Sequence, residues 1–252
     1  LIKFMEQSKN KFPSEIVDLP SKGILYDKGS PLSSGKVEMK YMTAKEEDIL
    51  TNQNYIEKGV VIDKLLRALI VDKDIKYNDL LVGDKNALLI AARVLGYGAE
   101  YEFEYGGEKH TIDLSLLENK DFNDALVEDN TNNFKFVLPA TGDELEFKLM
   151  THGDEQQVAA EVTGLKKINK DSSAELSTRL KYMITSVNGQ SERKDIREYV
   201  DNRFLARDSR AFRKHITELS PDVDMRFYPE NGPKEGVTIP IGISFLWPDA
   251  NL

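Results

Sequence analysis

An α+β fold is predicted for this chain, built as two similar lobes from an internal duplication, each with a few helices packed beside a small antiparallel hairpin or sheet. Three observations predict it. Strand-like alternation and helix-like periodicity both occur in each half of the chain. Two long stretches match one another in order, spacing and residue type. The chain has 252 residues, 40% of them hydrophobic, which suits one large or two small domains and excludes the disordered classes.

The match runs as follows along the chain. Val37-Glu38-Met39-Lys40-Tyr41-Met42-Thr43 is answered without a gap by Leu145-Glu146-Phe147-Lys148-Leu149-Met150-Thr151, a shift of 108. Each is preceded by Leu-Pro-x-x-Gly, beginning at Leu19 and at Leu138, and the first copy inserts residues 24–34 after it. Downstream, Leu80-Leu81-x-x-Asp84-x-x-Ala87-Leu88 parallels Phe204-Leu205-x-x-Asp208-x-x-Ala211-Phe212 at a shift of 124. A polar insertion at 166–173 absorbs the difference. The expected boundaries are an N-terminal arm at 1–18, a first lobe at 19–127, a linker at 128–134 and a second lobe at 135–252. The linker is read from the polar run 128–133, which has no apolar face.

Each element has a local reason. Val37, Met39 and Tyr41 alternate with Glu38 and Lys40, the pattern of a half-buried strand. Thr43-x-x-Glu46 is a capping box that starts a helix at Ala44 running toward Tyr55. Thr151-x-x-Asp154 reads as a weaker box, because aspartate is short. Ile62, Leu65, Leu66, Leu69 and Ile70 form a helical stripe, answered by Leu176, Leu180, Met183, Ile184 and Val187. Asp84 and Asp208 are placed to cap the next helix of each copy. Gly96-Tyr97-Gly98 stops the first of these helices and Ser220-Pro221 the second. Tyr101, Phe103 and Tyr105 alternate with glutamates, Gly106-Gly107 turns the chain, and Ile112 and Leu114 return it as a hairpin. Ile239, Ile241, Ile243 and Phe245 alternate as a last strand.

The chemistry of the chain is sparse. There are no cysteines, so disulfides, thiol catalysis and cysteine-ligated metal are excluded. His110, His152 and His215 are scattered without metal-ligand spacing. The run from Gly29 to Val37 mimics a phosphate loop but has the wrong spacing and no hydroxyl after Lys36. Glu46, Glu47 and Asp48 satisfy a helix start and oppose its dipole. We therefore expect no catalytic residue, no metal and no cofactor; a hydrolase using Glu46 or Glu47 is the competing class. No apolar stretch is long enough to span a membrane, and Leu1 to Gln7 lacks the apolar core of a secretory signal.

The net charge of −9 argues against a general nucleic-acid binder. Against that background, residues 193–214 hold eight bases and four acids. Arg193, Arg197, Arg203, Arg207, Arg210 and Arg213 are candidate contacts for an acidic partner, such as the acidic lobe of a second subunit. A solvated helix surface is the plainer reading of the same charges. Phe245 and Trp247 are candidate aromatic anchors, onto the chain's own lobe or onto a neighbour.

Taken in order, several runs resemble one family. They are Leu-Pro-Ser-Lys-Gly at 19–23, Val37 through Leu50, Asp79 through Leu89, Gly96-Tyr97-Gly98-x-x-Tyr101, and the ending Phe245-Leu246-Trp247-Pro248. The set is similar to the baseplate proteins of T4-like, contractile-tailed bacteriophages. The resemblance implies a non-enzymatic structural or assembly protein of the baseplate hub. Its partners would be other tail and hub proteins and further copies of itself, in the virion after assembly in host cytoplasm. A transient assembly chaperone absent from the virion is the alternative. Relatives carry Cys-x-x-Cys pairs in the hairpin after the Tyr-Gly-x-x-Tyr run, which implies a zinc ribbon there. This hairpin has no cysteine, so the metal does not carry over.

Overall fold

Residues 13–122, 124, 127, 131–168, 174–229, 232–241 and 243–248 are described by the computed structural model. Residues 1–12 of the expected arm, 128–130 of the linker and 169–173 of the polar insertion lie outside the described residues.

Strand β1 (Ser14–Asp18) pairs antiparallel with β2 (Lys36–Lys40), Ser14 opposite Lys40 and Asp18 opposite Lys36. Ser14–Asp18 therefore belongs to the first half and not to an arm, and Val17 is fully buried. Helix α1 (Ala44–Leu50) starts at Thr43, whose amide donates to Glu46 Oε2 at 3.1 Å. The expected run to Tyr55 breaks at Asn52, which accepts from the Tyr55 amide and starts α2 (Gln53–Glu57). Helix α3 (Val61–Leu69) buries Leu65, Leu66 and Leu69. Ile70 leaves the helix and bridges Met39 of β2. Helix α4 (Val82–Tyr97) is capped by Gly98, and strands β3 (Glu100–Tyr105) and β4 (Glu108–Asp113) form the hairpin. Gly106 and Gly107 both hold positive φ, which this tight turn requires.

The second half also begins with two paired strands followed by helices. Strands β5 (Phe134–Val137) and β6 (Glu144–Phe147) form the hairpin. Asn132 of the expected linker is tied down, bonding the amide and carbonyl of Leu149 at 2.8 Å each, and Phe134 already pairs in β5. Helix α5 (His152–Ile168) is followed by α6 (Glu175–Met183) and β7 (Ile184–Val187), which adds to β6. Ile184 and Val187 are thus strand residues and not part of a helical stripe. A residue run rich in β-branching pairs with β6 instead. Asp154 reaches back fully. Its Oδ2 accepts from the Thr151 amide at 3.0 Å and its amide donates to Thr151 Oγ1 at 3.2 Å. Lys148 Nζ, bonded to both carboxylate oxygens at 2.7 and 2.8 Å, holds the short side chain in place.

Helices α7 (Arg193–Asn202) and α8 (Ala206–Leu219) follow, then β8 (Arg226–Phe227) with β9 (Val237–Thr238) and α9 (Ile243–Leu246). Strand β9 ends at Thr238, short of the expected last strand: Pro240 has no amide to donate, and residues 243–246 turn into helix.

One apolar core runs from Val17 to Leu246 and takes residues from both halves. Phe147 and Phe212 meet edge to face at 4.9 Å at its centre in the second half, and both are fully buried. Truncating either to alanine would cost about 3–5 kcal/mol.

Candidate docking site

The halves meet through α4. The Val82 amide donates to the Met150 carbonyl at 3.2 Å, the His152 amide donates to the Leu80 carbonyl at 2.7 Å, and Leu81 bridges Thr151. Gly83 is obligatory here, because a Cβ would lie 1.8 Å from the Pro221 carbonyl oxygen. Asn86 Nδ2 donates to Asp222 Oδ1 at 3.0 Å.

A polar seam lies beside this contact. His152 is buried, with Nδ1 3.0 Å from Lys85 Nζ. Its Nε2 sits 3.1 Å from Asp63 Oδ2 but off the hydrogen-bond line. Tyr77 donates to Asp63 Oδ1 at 3.0 Å and packs edge-on against the His152 ring at 4.8 Å. Burial alone would raise the Asp63 carboxyl. The nearby His152 ring, the charge of Lys85 and the Tyr77 hydroxyl outweigh it and hold the group at about 2. Burial, followed by the Asp63 charge and hydrogen bond, pushes the Tyr77 phenol well up. These groups neutralise one another across the junction. Sequence reading passed over this seam, since its members lie far apart in the chain; position 152, just after the threonine cap, is histidine where its counterpart is Ala44.

The six candidate arginines divide sharply. Arg197 is spent on Glu161, bonding both its oxygens at 2.8 and 2.7 Å. That fork raises the guanidinium and lowers the carboxyl. Arg193 lies over the Tyr182 ring at 4.7 Å and Arg203 over Tyr199 at 5.5 Å. These three cover the chain's own surface. Arg207, Arg210 and Arg213 project from the exposed side of α8, whose other side buries Asp208, Ser209, Phe212 and Leu219. Among the described residues Arg213 Nε bonds only its own helix, at the Ser209 carbonyl, and the side chain borders a groove of about 440 Å³ lined by Leu176, Met183 and Ile216. Leu176, expected on a packed stripe, is 45% exposed at the rim of this groove. Arg207 and Arg210 make no hydrogen bond or ion pair to any described residue.

The aromatic anchors turn inward, onto the chain itself. Phe245 is fully buried and meets Tyr101 of β3 edge-on at 4.9 Å, so it is closed to any partner. Tyr101 also donates to the Pro240 carbonyl at 2.9 Å. Trp247 is half-buried against the same core. The chain's last helix returns to the first half, and local pattern carries no sign of that long-range contact.

The remaining histidines are packed. His215 stacks on Phe136 at 4.5 Å, and burial lowers its imidazole. His110 lies 4.7 Å from the Phe227 ring. Among the described residues no group of three or more histidine, aspartate or glutamate side chains is arranged to hold a metal ion, and no helix is long and apolar enough to cross a membrane. Comparison with family models, with curated proteins and with solved structures finds no match to this chain.

Proposed function

We propose that this chain is a non-enzymatic structural or assembly protein of a contractile phage tail, working in the baseplate hub by protein–protein docking. The family resemblance of its ordered motifs supports the tail. The observation that carries docking is the side of α8 bearing Arg207, Arg210 and Arg213, exposed beside an apolar groove while neighbouring arginines are spent internally. Such a face combines steering charge with apolar area to desolvate. Against a hydrolase, Glu46 is 2% exposed and held by Lys40 at 2.7 Å and Thr43 at 2.6 Å.

Mass spectrometry of purified tails tests the reading. Peptides of this chain at a fixed copy number per tail are expected. Their absence from tails, with the protein abundant in the lysate, would transfer the role to a transient assembly chaperone. Arg207→Glu with Arg210→Glu should lower incorporation about tenfold while the fold persists. Unchanged incorporation would remove α8 from the docking surface.

A further inference from the structure

The surface that joins the two halves is used once and left open once. On α4, Leu81 is 2% exposed, and Leu81, Val82, Gly83 and Asn86 all touch the second half. Aligning Asp84 with Asp208 puts Leu205, Ala206, Arg207 and Arg210 in the same places. All four are exposed, Leu205 at 42%. An arginine stands where contact demanded a glycine. An apolar side chain beside two guanidiniums with no hydrogen bond or ion pair among the described residues has the make-up of an interface without its partner.

The molecule itself shows what covers such a face. On α4 the cover is Met150-Thr151-His152, the segment that leads into α5. Its counterpart in the first half is Met42-Thr43-Ala44, leading into α1. Thr43 and Ala44 are exposed, and so are Glu47 and Asp48 on the next turn. Those carboxylates complement Arg207 and Arg210. Among the described residues the Glu47 carboxylate accepts only the Tyr97 hydroxyl, at 2.9 Å.

From this correspondence we propose that the Leu205–Arg207–Arg210 face of α8 binds a second copy of this chain, which covers it with its own residues 42–48. The contact is heterologous, head to tail. Each added copy leaves one open face and one free segment, so assembly ends in a ring or continues as a filament. The proposal names a partner for the basic face read above as a docking surface and stands without the phage assignment.

Sedimentation velocity of the full chain over a range of concentration and salt is the test. Concentration-dependent association that weakens with salt is expected. Arg207→Glu with Arg210→Glu should weaken it at least about tenfold, and so should Glu47→Lys with Asp48→Lys in a separate variant, both with unchanged thermal melts. An equimolar mixture of the two variants should restore association, because each reversed surface then meets its opposite. A chain that stays monomeric at every concentration overturns the proposal, as does a mixture that stays dissociated. A monomeric chain whose arginine variant is still lost from tails would sink this inference and leave the docking reading standing. Self-association of a chain missing from tails would do the reverse.

Discussion

The Leu-Pro-x-x-Gly turn occurs twice, and each time an aspartate from the first turn of a later helix clamps it. In the first half Asp84 accepts from the Ser21 amide at 2.9 Å, the Ser21 hydroxyl at 2.6 Å and the Tyr26 hydroxyl at 2.6 Å. In the second half Asp208 accepts from the Ala140 amide at 2.8 Å, and its buried Oδ2 has no partner among the described residues. Two sequence differences account for this. Ser21 becomes Ala140, and the insertion at 24–34, which carries Tyr26, is missing. Tyr26 also accepts from the Leu81 amide at 2.9 Å, so the insertion ties the turn to the start of α4. One backbone bond is therefore enough to place the clamp. The side-chain donors around it set how firmly it holds.

The largest effect expected from that difference is on stability. Asp84→Ala leaves three buried donors without an acceptor and should cost about 3 kcal/mol. Asp208→Ala strands one amide and removes an orphaned acceptor, so it should cost about 1 kcal/mol. Urea denaturation midpoints at fixed slope measure both. Equal losses would break the comparison.

The clamps also mark the limit of what was legible in the sequence. Alternation located β2 and β3, the periodicity of Leu65, Leu66 and Leu69 located α3, and Gly98 located the end of α4. Each rests on residues within a few positions of one another. Asp84 looked like a cap for its own helix, because that is the local use of an early aspartate. Its real donors lie 63 and 58 residues away. The burial of Phe245 and the His152 seam escaped for the same reason. Across α7 and α8 the basic run was visible, but only the fold separates spent Arg197 from exposed Arg207.

The next effect tests the other asymmetry between the halves. After the threonine cap stands exposed Ala44 in the first half and buried His152 in the second, where it meets Asp63. The Asp63 carboxyl is held at about 2, below its unfolded value. Its contribution is therefore present above pH ~4 and is lost as pH falls toward 2, amounting to about 2 kcal/mol. Asp84 has the opposite sign, since burial raises it despite the bonds from Ser21 and Tyr26. The difference between wild type and Asp63→Asn isolates the seam. That difference should shrink by about 2 kcal/mol between pH 5 and pH 2. A constant difference would show that the seam adds no charge-dependent stability to the junction.

The smallest effect sharpens the clamp comparison by trying to erase it. The Ala140 amide meets Asp208 Oδ1 at 2.8 Å, close to the 2.9 Å between the Ser21 amide and Asp84 Oδ1. A serine at 140 in the rotamer of Ser21 would point its hydroxyl at Asp208 Oδ2, the orphaned atom. Ala140→Ser should then stabilise the protein by about 1 kcal/mol at most, because position 140 is exposed whereas Ser21 is fully buried. The reciprocal change, Ser21→Ala, should cost about 1 kcal/mol and leave the backbone bond in place. Combining Ala140→Ser with Asp208→Ala provides the control. With the acceptor gone the serine has nothing to donate to, and its gain should vanish. A gain that persists would mean that the new hydroxyl acts elsewhere and that the two clamps differ by more than their donors.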